Sequence, residues 1–235
     1  MKALLLAAGR GERMRPLSDH TPKPLLRAGE RSLIEWQIVR LAQAGIRDIV
    51  INLAHQAQVI EDALGDGARW DARIRYSREG ARAEDALETL GGVVKALPLL
   101  DAGDEPFLVL ASDLYTDYDY RQLHTPAQAL ARGERDAHLV LVDNPPYHPK
   151  GDLGLTPNAH ITLNPPWLTY ASIGLFAPRL FAHERVQRGR LFPWMNQFIT
   201  RGRVSGERFA GVWHNVGTPQ DLAQLNEVLG TPAPQ

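Results

Sequence analysis

Apolar residues recur along the chain with two different periods, which predict an alternation of strands and helices. Short unbroken apolar runs, such as Phe107–Ala111, are typical of strands buried on both faces. Apolar residues spaced three and four apart, as in Leu33–Ala44, predict helices with one buried face. The predicted strands are Lys2–Leu6, Asp48–Leu53, Arg73–Tyr76, Phe107–Ala111, His138–Val142, Tyr170–Ala177 and Val212–Val216. The predicted helices are Leu33–Ala44, Gln56–Leu64, Glu88–Leu97, Asp119–Ala131, Leu191–Thr200 and a last helix from Thr218 to Leu229.

Glycine and proline mark where several of these helices end. Gly45 and Gly65 follow the first and second helix and are expected to end them. Pro98 is expected to stop the third helix, and Pro126 to break or kink the fourth. The last helix has a start signal in Thr218–Asp221, which supplies an N-cap threonine, a proline at the first helical position and an acid in the first turn.

The alternation of strands and helices predicts the fold class. Strands that alternate with helices usually form a mostly parallel sheet with helices on both faces. We therefore predict an α/β fold with a Rossmann-like, mostly parallel mixed sheet. Ligands in such sheets bind beyond the carboxyl ends of the strands. Two segments, Ala7–Arg15 and Ser112–Asp113, directly follow predicted strands and are expected at that edge.

The pattern weakens between residues 143 and 168. This segment holds prolines 145, 146, 149, 157, 165 and 166 and little periodicity, so we expect a cover loop or a small hairpin beside the site. With 235 residues, of which 44% are hydrophobic, the chain can bury a full core. Residues 1–230 are expected to form a single domain, and residues 231–235 a flexible tail.

Composition and charge exclude several classes of function. The net charge of −1 lacks the basic excess that is usual in proteins that bind nucleic acids or membrane surfaces. The chain has no cysteine, which excludes disulfides and thiolate metal sites and fits a reducing compartment. The apolar run Ala3–Ala8 is too short for a signal peptide, and no run approaches the roughly 20 apolar residues of a spanning helix. We expect a cytoplasmic monomer or weak homo-oligomer that acts on small molecules, without a nucleic-acid or membrane partner.

The most informative segment combines glycines with cations directly after the first predicted strand. Gly9 and Gly11 can bring backbone N–H groups close to phosphates, and Arg10 and Arg13 can neutralise phosphate charge. Lys23 follows between two prolines that restrict its backbone. The segment has neither the spacing of a P-loop nor the third glycine of the dinucleotide fingerprint. It therefore predicts a triphosphate site of another type.

This segment resembles the signature of the sugar-1-phosphate nucleotidyltransferases, a G-x-G-x-R loop followed by a hydrophobic residue, Pro-Leu and then Pro-Lys-Pro. In this chain the pattern spans Gly9–Ser18 and Pro22–Pro24. The resemblance implies a nucleotide-diphospho-sugar transferase fold without a C-terminal β-helix. It also implies that a sugar-1-phosphate attacks the α-phosphorus of a nucleoside triphosphate and that pyrophosphate leaves. On this resemblance the nucleotide-binding residues are Ala7, Ala8, Gly9, Arg10, Gly11, Glu12, Arg13 and Lys23, and the catalytic residues are Arg13, Lys23 and Asp113.

Such a reaction needs charge neutralisation rather than a general base. The second pKa of a phosphate monoester is about 6, so the attacking phosphate is already an anion. Mg²⁺ and basic side chains would stabilise the crowded transition state. By position alone Asp113 could be a turn or N-cap residue, whereas the resemblance implies that it binds Mg²⁺. The resemblance implies a second ligand at Asn215, where the family usually has aspartate, and Ser112 stands where the family usually has glycine.

The resemblance also implies where the base and the sugar bind. A loop of Glu88, Thr89, Gly91 and Gly92 is expected near the nucleobase, although Leu90 replaces the first glycine of the family pattern. Paired glycines would allow a flat ligand to approach the backbone closely. The candidates for sugar-phosphate binding are Asp152, Ser172 and Tyr170, each of which could instead serve packing.

Within the family the chain looks most similar to the bacterial N-acetylmuramate α-1-phosphate uridylyltransferases. The shared segments are Tyr76–Glu79, Leu87–Thr89, Lys95–Pro98, Thr116–Asp119 and Val204–Glu207. This similarity implies that UTP and N-acetylmuramate-1-phosphate are the substrates, in cell-wall sugar recycling. A mannose-1-phosphate guanylyltransferase is the alternative within the family. The alternative of another class is a protein that binds nucleotide sugars without turnover, because Leu90, Ser112 and Asn215 all depart from the family pattern.

Overall fold

A nine-stranded mixed sheet forms the frame of the molecule in a computed structural model, which describes residues 1–80, 85–100 and 103–230. The tail expected at residues 231–235 lies outside the described residues. The strands are Ala3–Leu6 (β1), Arg27–Ala28 (β2), Arg31–Ser32 (β3), Asp48–Leu53 (β4), Arg73–Arg78 (β5), Phe107–Ala111 (β6), Leu114–Thr116 (β7), Ala137–Val142 (β8), Leu153–Leu155 (β9), Ile161–Thr162 (β10), Trp167–Phe176 (β11), Val204–Arg208 (β12) and Trp213–Asn215 (β13). The α-helices are Leu33–Gln43 (α1), Ala57–Leu64 (α2), Glu88–Leu100 (α3), His124–Ala131 (α4), Leu191–Trp194 (α5), Asn196–Thr200 (α6) and Pro219–Val228 (α7).

The parallel part of the sheet has the order β6-β1-β4-β5. The long strand β11 runs antiparallel to β6 and continues the sheet to β8, which pairs in parallel with β12. The prediction of an α/β fold with a mixed, Rossmann-like sheet is confirmed. Because β1, β4, β5 and β6 all point the same way, their carboxyl ends form one edge, and the segments after them lie together.

Alternate residues of the central strands face two different cores. Ala3 and Leu5 of β1 pack into the core beneath α1 and α2, whereas Leu4 packs into the core beneath α3, α5 and α6. This alternation is the two-residue period of a strand, and both faces must be apolar because helices cover both. The expected helical layers on both faces are therefore present.

A third, smaller core supports the segments at the carboxyl edge. Met14 and Leu33 pack there with Val216, Leu222 and Leu225. These residues come from the loop after β1, the start of α1, and the end of the chain around α7. The segment Ala7–Arg15 after β1 is called the glycine loop below. The small core thus fastens this loop to the β13–α7 connection, which is more than 200 residues away in sequence.

Three helix boundaries differ from the expectation. Pro98 lies inside α3, which continues to the buried Leu100, because a proline in the last turn removes one backbone hydrogen bond while Leu100 still packs in the core. Pro126 neither breaks nor kinks a helix, because α4 begins at His124 and Pro126 falls in its first turn, where an N–H has no helical partner. The helix expected at Leu191–Thr200 is divided into α5 and α6, and the backbone inside α5 is non-helical at Phe192, the residue before a proline.

The proline-rich segment contains a short antiparallel pair. Strands β9 and β10 pair with each other, and β9 also pairs with the start of β11. This arrangement corresponds to the small hairpin, one of the two expected alternatives. Strands β2, β3, β7 and β12 were not predicted. Within the described ranges, none of the helices is both long and apolar enough to cross a bilayer.

Candidate active site

Two adjoining cavities open beyond the carboxyl ends of β1 and β6. The large cavity has a volume of about 670 Å³ and extends from this edge toward α3 and β11. The small cavity, of about 470 Å³, lies over the glycine loop. Leu6, Gly9, Arg10 and Asp113 line both cavities, so the two spaces meet at the point where β1 and β6 end.

The glycine loop wraps around the stem of Lys23. Gly11 has a φ of 63°, and a Cβ atom on it would lie 2.8 Å from the Cβ of Lys23. Ser18 donates a hydrogen bond of 2.8 Å from its hydroxyl to the carbonyl of Gly11. Glycine is therefore required at position 11 both by the left-handed backbone and by the close approach of Lys23.

Lys23 and Asp113 form an ion pair at the junction of the two cavities. The Lys23 Nζ contacts Oδ2 of Asp113, and the side chains are 13% and 23% exposed. Lys23 sits in a 3₁₀ turn, Lys23–Leu25, that begins after Pro22, and Asp113 comes two residues after β6 ends. The structure thus brings together two of the predicted catalytic residues, which are 90 positions apart.

The third predicted catalytic residue, Arg13, also lines the small cavity. A Cβ atom on Gly217 would lie 3.3 Å from Nη2 of Arg13, so the guanidinium passes over the backbone between β13 and α7. Arg13 forms no ion pair within the residues that the structure describes. Arg10 is paired with Glu12 at 3.1 Å. Three cations and the carboxylates of Glu12 and Asp113 therefore line the small cavity, and the net positive charge suits a polyanion.

The two predicted metal ligands lie at one end of a two-stranded ribbon, Asp113 directly before β7 and Asn215 as the last residue of β13. Strand β13 pairs with β7 so that Asn215 is opposite Leu114, and Val216 donates a backbone hydrogen bond of 3.0 Å to the carbonyl of Asp113. Among the described residues, no three His, Cys, Asp or Glu side chains are grouped so that they could hold a metal. The Asp113 carboxylate already holds a cation, the Lys23 ammonium, and a carboxylate with an amide oxygen fits a Mg²⁺ ion that takes its other ligands from phosphates and water.

A buried polar chain that sequence reasoning missed joins the glycine loop to α3. Asn52 accepts a hydrogen bond of 2.7 Å from the Ala7 N–H and donates one of 2.6 Å to Glu79, which accepts another of 2.6 Å from the Leu87 N–H. Asn52 and Glu79 line the large cavity. Burial raises the pKa of Glu79, against the opposing effect of the bonds from Leu87 and Asn52. The one sequence signal was Asn52, a polar residue inside an apolar strand.

Part of the predicted base loop lines the large cavity, and the rest packs against other parts of the protein. Glu88 and Thr89 line the large cavity, whereas Gly91 and Gly92 do not. A Cβ atom on Gly91 would lie 2.1 Å from the carbonyl of Gln187, and one on Gly92 would lie 2.4 Å from Oε1 of Glu79. The close approach that these glycines permit is thus made by the protein's own atoms.

The three sugar-phosphate candidates also have different surroundings. Tyr170 and Ser172 line the large cavity, at an irregularity of β11 where the pairing with β8 shifts register and Ser172 has a φ of 57°. Asp152 does not line it. Its carboxylate accepts a hydrogen bond of 2.9 Å from the Tyr170 N–H and lies 3.0 Å from Nε2 of His148. Asp152 therefore fastens the proline-rich segment to β11.

Tyr147 of the proline-rich segment lines neither cavity but feels the charges around the small one. Burial and the negative charges of Asp221 and Asp113 raise the pKa of the Tyr147 hydroxyl, and the positive charge of Arg13 opposes them. The residue is nevertheless 59% exposed. Most of its side chain is thus open to solvent near these charged groups, and the sequence analysis did not single out this residue.

Comparison with known proteins assigns this chain to a family. The family model for nucleotidyl transferases matches residues 2–155. The chain belongs to the nucleotidyl transferase family. It is 43% identical to the N-acetylmuramate alpha-1-phosphate uridylyltransferase of Neisseria meningitidis, over 98% of this chain and 99% of that protein. It is 40% identical to the mannose-1-phosphate guanyltransferase of Aspergillus fumigatus, over 52% of this chain and 33% of that protein.

The fold agrees with this assignment. The solved structure of HddC from Yersinia pseudotuberculosis, complexed with GMP-PN, matches with a TM-score of 0.77 at 18% identity, over 97% of this chain and 99% of that chain. The comparisons confirm the family predicted from the glycine loop and the enzyme class. They also confirm the predicted similarity to the N-acetylmuramate α-1-phosphate uridylyltransferases. The nucleotidyltransferase therefore has its glycine loop and Asp113 within the matched range, and Asn215 beyond it.

Proposed function

We propose that this nucleotidyltransferase transfers a uridylyl group from UTP to N-acetylmuramate-1-phosphate and releases pyrophosphate. Its product, UDP-N-acetylmuramate, would serve the recycling of cell-wall sugars in the cytoplasm. The observation that carries the proposal is the junction of the two cavities: a cation-lined space over the glycine loop opens at Asp113 into a larger space that can take a base and a sugar. The full-length similarity to a muramate enzyme supports the choice of substrates.

The residues of the small cavity would bind and align the phosphates. The attacking sugar phosphate is an anion at neutral pH, so no side chain has to remove a proton from it. Arg13 and Lys23 would neutralise the triphosphate and the charge that develops on pyrophosphate as it leaves. The backbone N–H groups between Ala8 and Gly11 would hold the phosphates in line with the attacking oxygen.

Asp113 and Asn215 would hold Mg²⁺ beside these phosphates. When bound, the ion supplies positive charge that stabilises the phosphoryl oxygens in the transition state. Asn215 contributes a neutral oxygen instead of a carboxylate, so this site would bind the metal more weakly than a site with two carboxylates.

The walls of the large cavity suggest a division between base and sugar. Asn52, Glu79 and Thr89 lie on the side of β4, β5 and α3, where their polar atoms could meet the edge of a uracil ring. Tyr170 and Ser172 lie on the side of β11 and are proposed to contact the sugar. A mannose-1-phosphate guanylyltransferase would use the same arrangement, but the similarity to such an enzyme covers about half of this chain.

Binding without turnover has less support than catalysis. Leu90 was one reason to consider it, yet this side chain is 8% exposed and does not line either cavity. The cations that turnover requires are present around Asp113.

The deciding experiment is pyrophosphate release in the presence of Mg²⁺, with UTP, GTP and dTTP each paired with N-acetylmuramate-, N-acetylglucosamine-, glucose- and mannose-1-phosphate. A dominant rate for UTP with N-acetylmuramate-1-phosphate would support the proposal. A dominant rate for GTP with mannose-1-phosphate would select the alternative, and nucleotide binding without any turnover would refute both. Asp113→Ala should lower the rate at least about 100-fold without loss of the fold, a size typical of removing an electrostatic group from an active site.

A further inference from the structure

Two arginines line the large cavity on a segment that the phosphate chemistry does not use. Arg188 and Arg190 flank Gly189, and Arg190 has extended backbone with a φ of −87° and a ψ of 144°. Alternate residues of an extended segment project to the same side. Both guanidinium groups reach one carboxylate, since Nη2 of Arg188 lies 3.2 Å from Oε1 of Glu88 and Nε of Arg190 lies 3.7 Å from its Oε2.

The arginine segment is fastened to the start of α3. Leu90 donates a backbone hydrogen bond of 2.9 Å to the carbonyl of Gly189, and Gly189 donates one of 2.9 Å to the carbonyl of Leu87. A Cβ atom on Gly189 would lie 3.3 Å from Cδ2 of Leu90, so the leucine side chain packs directly on this glycine. Leu90, the departure from the family pattern, therefore fixes the wall that carries the arginines.

We propose that Arg188 and Arg190 form a carboxylate subsite that selects sugar-1-phosphates with an acidic substituent. This inference rests on the proposed function, because N-acetylmuramate-1-phosphate is N-acetylglucosamine-1-phosphate with an added lactyl group that ends in a carboxylate. A guanidinium group presents five N–H donors in a planar fork that matches a carboxylate. Two guanidinium groups face the single carboxylate of Glu88, so the wall keeps an excess of one positive charge for a second carboxylate.

The position of the subsite fits a substrate with two anionic groups. The cations around Asp113 lie where the two cavities meet, whereas the arginines lie on the wall that joins α3 to β11. Phe192 follows Arg190 by two residues and packs edge-on against Tyr170, with ring centroids 5.8 Å apart. The arginine segment is therefore continuous with the β11 side of the cavity, which is proposed to contact the sugar. A sugar with its phosphate at one end and its carboxylate at the other would meet cations at both.

Affinity for two sugar phosphates that differ in the lactyl group tests the inference. Dissociation constants of N-acetylmuramate-1-phosphate and N-acetylglucosamine-1-phosphate would be measured by titration calorimetry for the wild type and for Arg188→Ala, Arg190→Ala and the double variant. The preference for the muramate compound is expected to fall about 10- to 100-fold in the double variant, the range for losing hydrogen bonds to a charged group. Glu88→Gln should raise the preference, because it removes the competing carboxylate.

Arg185→Ala is the matched control, because Arg185 is exposed on the same stretch of chain and does not line the cavity. The control should keep the wild-type preference. An equal loss of affinity for both sugar phosphates would overturn the inference, since the arginines would then serve the shared phosphate. An unchanged preference for N-acetylmuramate-1-phosphate, or a loss of affinity for UTP alone, would overturn the inference as well. Turnover only of sugar-1-phosphates that lack a carboxylate would refute the proposed function, while the affinity ratio would still decide the subsite.

Discussion

Replacing Gly11 with alanine is expected to destabilise the fold and to displace Lys23 at the same time. A left-handed backbone conformation, such as the φ of 63° at Gly11, costs a residue with a side chain about 1–2 kcal/mol. The new Cβ would also lie 2.8 Å from the Cβ of Lys23, an atom that rotation of the lysine side chain cannot move away. Overpacking of this kind costs about 1–3 kcal/mol.

These contributions can be combined into a measurable change. A Gly→Ala substitution reduces the entropy of the unfolded chain, which returns about 0.4–1 kcal/mol. The free energy of unfolding is therefore expected to fall by about 3 kcal/mol. For a domain of this size each kcal/mol corresponds to roughly 2–4 °C, so Tm should fall by about 6–12 °C. The displaced lysine should also raise KM for the nucleoside triphosphate, measured by pyrophosphate release at a temperature where the variant is folded.

Gly9→Ala is the matched stability control in the same loop. No atom lies within 4 Å of the position that a Cβ on Gly9 would take. Its free energy of unfolding should change by less than about 0.5 kcal/mol. Equal Tm values for the two variants would refute the argument from backbone conformation, and a normal nucleotide KM in Gly11→Ala would refute the argument that Gly11 positions Lys23.

Three other substitutions test separate parts of the structure. Asn215→Asp adds a carboxylate at the proposed metal site and should lower the Mg²⁺ concentration for half-maximal turnover; an unchanged Mg²⁺ titration would remove Asn215 from that site. Hydrogen bonds from Arg203 and Arg179 hold the pKa of Asp136 below its usual value, so the stability they provide is present above about pH 4 and is lost as the pH falls through the lower pKa of the folded state. Asp136→Asn should cost about 1.5–3 kcal/mol at pH 7 and make unfolding less dependent on pH in the acid range, and equal acid slopes for the two proteins would contradict this. Tyr147→Ala should raise KM for a substrate several-fold with little change in Tm, because the ring is largely exposed; unchanged KM values would exclude Tyr147 from the working site.

The strands buried on both faces could be predicted from sequence almost to the residue. The bounds of β4 and β6 agree with the expectation, because a strand covered by helices on both sides is mostly apolar. Strand β12 could not be predicted in this way. Its sequence, Val204–Arg208, mixes apolar, small and charged residues and is recognisable as a strand through its pairing with β8. Pairing between distant segments leaves no local pattern.

The same division between local and distant contacts holds for the site. The glycine loop was predicted because glycines and cations directly follow an apolar strand. Asp113 was assigned through the family resemblance, because its position after a strand also fits a turn residue. The arginines at 188 and 190 were missed, because their polar surroundings look like a surface loop and the partner Glu88 is about 100 positions away. Gly91 was identified as a point of close approach, but a sequence does not say which group approaches, and here it is the protein backbone.

The place of β11 in the sheet has a consequence for synthesis of the chain. The family match ends at residue 155, yet β6 has β11 as its neighbour on one side, through pairs such as Ile173 with Leu110. A nascent chain that has reached residue 155 therefore carries an apolar central strand with an open edge, which invites pairing with other chains. At about 5–20 residues per second the ribosome needs roughly one to four seconds to complete β11. Premature termination in this interval would release an aggregation-prone fragment rather than a smaller enzyme.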